Sequence, residues 1–174
     1  MNKKLNKVLD AKLAKKLAQG CNLKVTLKKN YKGYSLYAIK NIKKGNVIAY
    51  YKFMIYADDD NFSGYKNNMY TMTVYNKNGS RNKTLIGDIY EGSLEYPKRG
   101  IPYWAYFSNE PSGDQTENCF IDINAKSNYR HRNKPKKGET LTYRLIASRN
   151  IKAGEEITWC YGGAYERDYE SNCE

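Results

Sequence analysis

The chain has 174 residues, 40% of them apolar and 28% charged, which suits one folded domain with its own core and excludes a disordered chain or two full-sized domains. No stretch reaches roughly 18 consecutive apolar residues, so no transmembrane helix is expected. Lysines interrupt the first twenty residues where a signal peptide needs an apolar run, and a soluble, intracellular protein with no membrane partner is expected.

The formal net charge of +12 is unevenly spread: residues 1–52 carry 14 lysines against one acid, Asp10, and the remainder is close to neutral. Within that basic segment Leu5, Val8, Leu9, Leu13 and Leu17 recur at spacings of three and four. This predicts an amphipathic helix over 3–18, stopped by Gly20, with its leucine stripe packed on the domain body. The period then changes to two. Leu23, Val25 and Leu27 alternate with polar residues as in a half-buried strand, and residues 36–39, 47–51 and 53–56 read as further short strands. Residues 58–61 form an acidic loop, 69–75 alternate again, and Asn78-Gly79 signals a hairpin turn. A polar, basic loop over 124–138 precedes a last strand over 140–148. No linker divides this β-rich pattern.

The four cysteines, Cys21, Cys119, Cys160 and Cys173, lack the close pairs of a zinc site and are too few for a disulfide scaffold; they read as reduced thiols, with no metal expected. One internal echo stands out. Residues 38–45 and 147–154 share the pattern A-x-x-N-I-K-x-G, which describes two similar strand–turn–strand units.

The surroundings of the two copies carry a resemblance. The first follows Gly33-Tyr34-Ser35-Leu36-Tyr37-Ala38, and the second continues into Gly154-Glu155-Glu156-Ile157-Thr158-Trp159-Cys160-Tyr161-Gly162. Between them lie Ile86-Gly87-Asp88, a segment from Trp104 to Ser112 containing Asn109-Glu110, and Asn118-Cys119. In that order these resemble the motifs of the SET domain, the mainly β fold of protein lysine methyltransferases, over residues 23–165. The resemblance implies several short sheets with a C-terminal pseudoknot, arranged as a basic helical extension over 1–20, a SET domain over 21–166 and a short acidic tail over 167–174. Two departures stand out: Ser35 replaces the second glycine of the family's GxG, and Glu110 replaces the histidine of its N-H pair.

By the same resemblance Tyr161 is the catalytic tyrosine, and Trp159 and Tyr165 line the lysine channel. Gly33, Tyr34, Ser35, Asn109 and Glu110 hold S-adenosylmethionine. Tyr70, with Met54 and Tyr75, is a candidate border of the substrate groove. The chemistry asks for such residues: a neutral amine must displace a sulfonium in line, which needs desolvation, positioning and aromatic faces more than histidines or metals. The composition agrees, with 18 tyrosines and one histidine, His131, read as solvated in its basic loop.

The implied partner is a protein carrying a target lysine, a histone before other basic proteins, which would place the chain in a nucleus and otherwise in the cytoplasm. The rival reading is a catalytically weak module that binds chromatin or nucleic acid through residues 1–52. A lysine-rich front third attracts polyanions, although AT-rich coding also yields Lys, Asn and Tyr on a merely solvated face. The short tail after Tyr165 leaves the channel to be closed by Tyr165 and Tyr169 or by the second subunit of a homodimer.

Overall fold

The computed structural model describes residues 10–58, 70–90, 94–163, 165, 167 and 169–173; the helical turns expected before Asp10, the acids Asp59 and Asp60, and Met69 lie outside them. The first described helix, α1, spans Ala11–Leu17, and the Asp10 carboxylate caps it by accepting from the amides of Lys12 and Leu13 at 2.8 and 3.2 Å. The face it buries corrects the sequence reading. Ala11, Ala14 and Ala18 turn inward while Leu13 is 42% exposed. Alanines at this spacing let the helix backbone approach the neighbouring strand closely, and Leu17 alone of the described leucine stripe packs at the margin of the core. Among the described residues no helix is long and apolar enough to cross a membrane.

Strands β1 (Val25–Asn30) and β2 (Gly33–Ala38) form an antiparallel hairpin in which Leu27 faces Leu36, both fully buried. The main sheet is five-stranded and antiparallel. Strands β3 (Val47–Ala57), β4 (Met72–Tyr75), β5 (Arg81–Ile89), β6 (Cys119–Asp122) and β7 (Thr140–Ala147) lie in the order β4-β5-β3-β7-β6. The two short strands expected over 47–51 and 53–56 are one, β3, because β7 pairs with it continuously from Ala49 to Met54, Lys52 opposite Thr142, while β5 joins its other edge from Phe53. The Asn78-Gly79 signal is a true turn: Gly79 has φ +83° and the Asn78 side chain accepts from the Ser80 amide at 3.0 Å. The 124–138 loop carries a one-turn helix, Ala125–Asn128, and buries Tyr129.

The echoed motif explains how the ends of the domain meet. Ile42 and Ile151, each 1% exposed, exchange backbone hydrogen bonds at 2.9 Å. Around them every equivalent group is reciprocated. Gly45 N donates to Ala147 O and Gly154 N to Ala38 O, both at 2.8 Å. Asn150 Oδ1 accepts from Lys44 N at 2.9 Å, and Asn41 Oδ1 accepts from Ala153 N at 3.0 Å. The two copies are therefore halves of one pairing.

Core packing is tightest where Phe53 lies over Gly87. A Cβ at Gly87 would come within 2.3 Å of Phe53 Cδ2, and the ring is itself held edge-on against Tyr143 with centroids 4.8 Å apart. Gly87→Ala is expected to destabilise the fold by about 1–3 kcal/mol, read as a lower urea midpoint at unchanged slope. In a double-mutant cycle with Phe53→Leu the pair should cost less than the sum of the singles; strict additivity would mean that the ring is not what the methyl meets.

Candidate active site

Residues 154–159 run between two partners. On one side Ala38 N donates to Glu155 O at 2.9 Å and Ile157 N to Leu36 O at 2.8 Å, which ties the segment to β2. On the other side Trp159 N donates to Asn109 O at 3.1 Å, and the amides of Asn118 and Cys119 both donate to Thr158 O. The buried Asn118 side chain completes the grip, donating to Glu156 O at 2.7 Å and accepting from Thr158 N at 3.0 Å. This is the crossing of segments that the resemblance led us to expect.

The crossing brings the candidate cofactor residues together. Gly33 has φ +104°, a conformation that suits glycine, and a Cβ there would meet nothing within 4 Å, so the backbone borders open space. Tyr34 is half-buried against the core. Ser35 is fully buried, and its hydroxyl accepts from Asn109 Nδ2 at 2.6 Å and from Asn30 Nδ2 at 2.8 Å. The serine standing where the family has glycine therefore holds the asparagine in place.

Glu110 is occupied as fully. Its side chain, 1% exposed, accepts from Tyr161 N at 2.8 Å, from Arg167 Nε and Nη2 at 2.7 and 2.5 Å, and from the Tyr169 hydroxyl at 2.9 Å. Burial pushes this carboxyl up, but the Arg167 guanidinium, the Tyr161 amide and the Tyr169 hydroxyl together outweigh it and leave the group below its ordinary value. Lys32 Nζ adds a 2.9 Å bond to the Glu110 carbonyl.

Above this clamp sits an aromatic cluster. Tyr161 lies between Trp159 and Tyr165, with centroids 5.0 and 4.8 Å away, and its hydroxyl donates to Ser108 O at 2.9 Å. The Tyr51 and Tyr106 rings lie tilted with centroids 3.9 Å apart, Tyr51 donates to Tyr70 O at 2.8 Å, and Tyr161 lies nearby. Burial, followed by the neighbouring Tyr169, Tyr165 and Glu110, holds the Tyr161 hydroxyl protonated far above the usual tyrosine range. The group can donate one hydrogen bond and present oxygen lone pairs, but it cannot serve as a base near neutrality. The buried indole nitrogen of Trp159 has no hydrogen-bond partner among the described residues.

Of the residues singled out from sequence, Gly33, Ser35, Asn109, Glu110, Trp159, Tyr161, Tyr165 and Tyr70 thus fall into one connected region. Tyr75 does not join it: its amide donates to the Tyr143 hydroxyl, and its carbonyl accepts from Tyr129. Met54 is paired within the sheet with Asp88 and Thr140. Sequence reasoning missed Tyr51 and Tyr106, whose only signal was membership of a tyrosine-rich chain. It also missed the clamp, whose signal was the acid at position 110 followed by an arginine in the tail. The cysteines need a correction: Cys160 and Cys173 form a disulfide, while Cys21 and Cys119 are free. The tail folds back onto Glu110, and that return brings together two residues 13 apart which spacing alone does not pair.

A family model for the SET domain matches residues 33–162. Among solved structures, CpSET8 from Cryptosporidium aligns at 17% identity with a TM-score of 0.50, covering 79% of this chain and 57% of that one. The methyltransferase domain of human PR domain-containing protein 2 aligns at 17% identity with a TM-score of 0.49, covering 92% and 91%. At such identity the likeness is one of fold, and this chain spans little more than half the length of CpSET8. No curated protein matches the sequence.

The clamp has a pH signature. A carboxyl lowered in the folded chain contributes stability above the ordinary glutamate value of about 4.3 and loses it as pH falls through the folded value. Glu110→Gln should therefore lower stability at neutral pH, by about 1–3 kcal/mol for the charge-assisted bonds removed. Its melting temperature should also fall less than the parent's on acidification. Parallel acid limbs for the two chains would show that another group titrates.

Proposed function

The chain belongs to the SET-domain family, and from that footing we propose that it is an S-adenosylmethionine-dependent protein lysine N-methyltransferase whose substrate is a histone or another basic protein. One observation carries the reading. The Tyr161 hydroxyl sits in an aromatic cluster, held by the carbonyl of Ser108, while the next residue, Asn109, reaches Ser35 beside the open space at Gly33. A place for a methyl donor and a place for a lysine thus adjoin across one dipeptide.

The residues fit the cofactor. The open backbone at Gly33, the neighbouring Tyr34 and Asn109 would hold it; Ser35 and Glu110, whose side chains face internal partners, would position those contacts. Bound there, the cofactor would supply a methyl group on a positively charged sulfur. The protein does the rest. Trp159, Tyr161, Tyr165 and Tyr70, with the buried Tyr51 and Tyr106, offer apolar walls that disfavour an ammonium and π faces that attract a cation on its way in. Because the Tyr161 hydroxyl donates its one hydrogen bond to Ser108 O, its oxygen lone pairs remain to face developing positive charge. The substrate amine, with a free pKa of about 10.4, must lose its proton to solvent, since the raised Tyr161 cannot take it.

The departures at Ser35 and Glu110 would suit the rival reading of a catalytically weak module if they marked a decayed site. Both side chains are fully engaged in holding Asn109 and Tyr161, which favours a working site over a decayed one.

Labelled cofactor and a histone mixture test the proposal, and absence of both transfer and cofactor binding would end it. Tyr161→Phe should lower transfer by about 100-fold or more while the melting temperature changes little; undiminished activity would remove the assigned role. For the parent chain, kcat/KM should rise about tenfold per pH unit between neutrality and roughly pH 9, tracking amine deprotonation. The Tyr161→Phe variant should keep that slope. A profile flattened by the variant would make the phenol the base after all.

A further inference from the structure

We propose that the face formed by α1, residues 21–24 and the β1–β2 hairpin binds the phosphate backbone of double-stranded DNA. Nine lysines between residues 12 and 44 are exposed. The only acid among residues 10–52 is Asp10, and its carboxylate is committed to the α1 cap. Among the described residues no lysine before Lys52 takes part in an ion pair. Among the described residues these lysines therefore face outward without a carboxylate partner, and a polyanion relieves their mutual repulsion while releasing its own counterions.

Several of these charges converge on one place. Lys15 from α1 and Lys40 beyond β2 line an open cavity of about 330 Å³ together with Asn22 and Thr26, and Lys40 Nζ is steadied by Asn22 Oδ1 at 2.5 Å. Lys28 lies two residues beyond Thr26 on the same strand face, its ammonium 5.1 Å from the ring centroid of Tyr37. A short helix and a hairpin thus bring Lys15 and Lys40 to the rim of one concave surface, lined also by Ala18, Leu23, Val25, Ile39 and Trp104, with the Lys28 ammonium on the adjoining strand face.

The residue types narrow the partner. Residues 1–52 contain no arginine, the side chain that most often reads base edges, so contact with the backbone is favoured over sequence readout. The most exposed aromatic of the region, Tyr31 at 85%, already shares a hydrogen bond with Ser112. No row of free rings among the described residues offers the stacking platform that unpaired bases require.

The test measures binding of the full chain to a labelled duplex of about 20 base pairs by fluorescence anisotropy across a salt series. It needs no methyl donor, so its outcome is separate from that of the transfer assay. Lys15→Gln, Lys28→Gln and Lys40→Gln combined should weaken binding at least tenfold at moderate salt. They should also reduce the log–log salt slope by about 2–3, near 0.9 for each phosphate no longer neutralised. A charge-matched control in the exposed loop before β7, Lys126→Gln, Lys134→Gln and Lys137→Gln, should stay within about twofold of the parent. Duplex DNA should also shield Lys15, Lys28 and Lys40 from chemical acetylation as read by mass spectrometry. Equal weakening by both triples would reduce the effect to bulk charge and overturn the proposal. So would tighter binding of single-stranded DNA, duplex RNA or polyglutamate than of the DNA duplex, or acetylation of the three lysines at an undiminished rate.

Discussion

The Asn118 side chain stands in for a strand: it donates to the Glu156 carbonyl and accepts from the Thr158 amide, in a place where no water competes. A buried amide satisfied at both ends rigidifies its surroundings, and one left half-satisfied costs more than its bonds are worth. Through it the segment carrying Trp159 and Tyr161 is pressed between β2 and the residues around Asn109. The open backbone at Gly33, the Ser35–Asn109 bond and the aromatic cluster acquire a fixed relation only because that segment cannot shift. The reciprocal pairing of the two A-x-x-N-I-K-x-G copies supports the same crossing from its far end.

Charge within the region is arranged with similar economy. Glu110 gathers a guanidinium, a phenol and a backbone amide around one carboxylate, so the tail is fastened by a group that also fixes the start of Tyr161. Next to it the tyrosines are kept neutral by burial. The lone histidine, His131, is exposed in its own loop and takes no part. What remains is a surface that orients and desolvates and does not exchange protons, a division of labour suited to displacement at carbon.

Much of this was legible in the residues themselves. Periodicity found the strands of the hairpin and β7, Asn78-Gly79 found its turn, and motif order found the family. What escaped did so for physical reasons. Helical spacing showed that a leucine stripe existed, but the close approach to β1 selected Ala11, Ala14 and Ala18 instead. Lys52 breaks an apolar pattern on paper, yet its pairing with Thr142 of β7 carries the strand straight through it. Ser35 and Glu110 looked like losses because a one-dimensional motif cannot show that each substitution gained a partner elsewhere in space. The Cys160–Cys173 bond was hidden for the same reason, since it depends on a tail that folds back onto Glu110 and Gln115.

The tie between Leu36 and Ile157 also sets a timetable. At a translation rate of about 5–20 residues per second, the carbonyl at position 36 waits roughly 6–24 s for its partner to be synthesised. Through that interval the outer edge of the hairpin has no strand beside it, and the apolar faces of Leu36 and Ile42 lie open to other chains. Ribosome-bound fragments of this protein are therefore natural clients for a chaperone until residues 154–159 emerge to cover that edge.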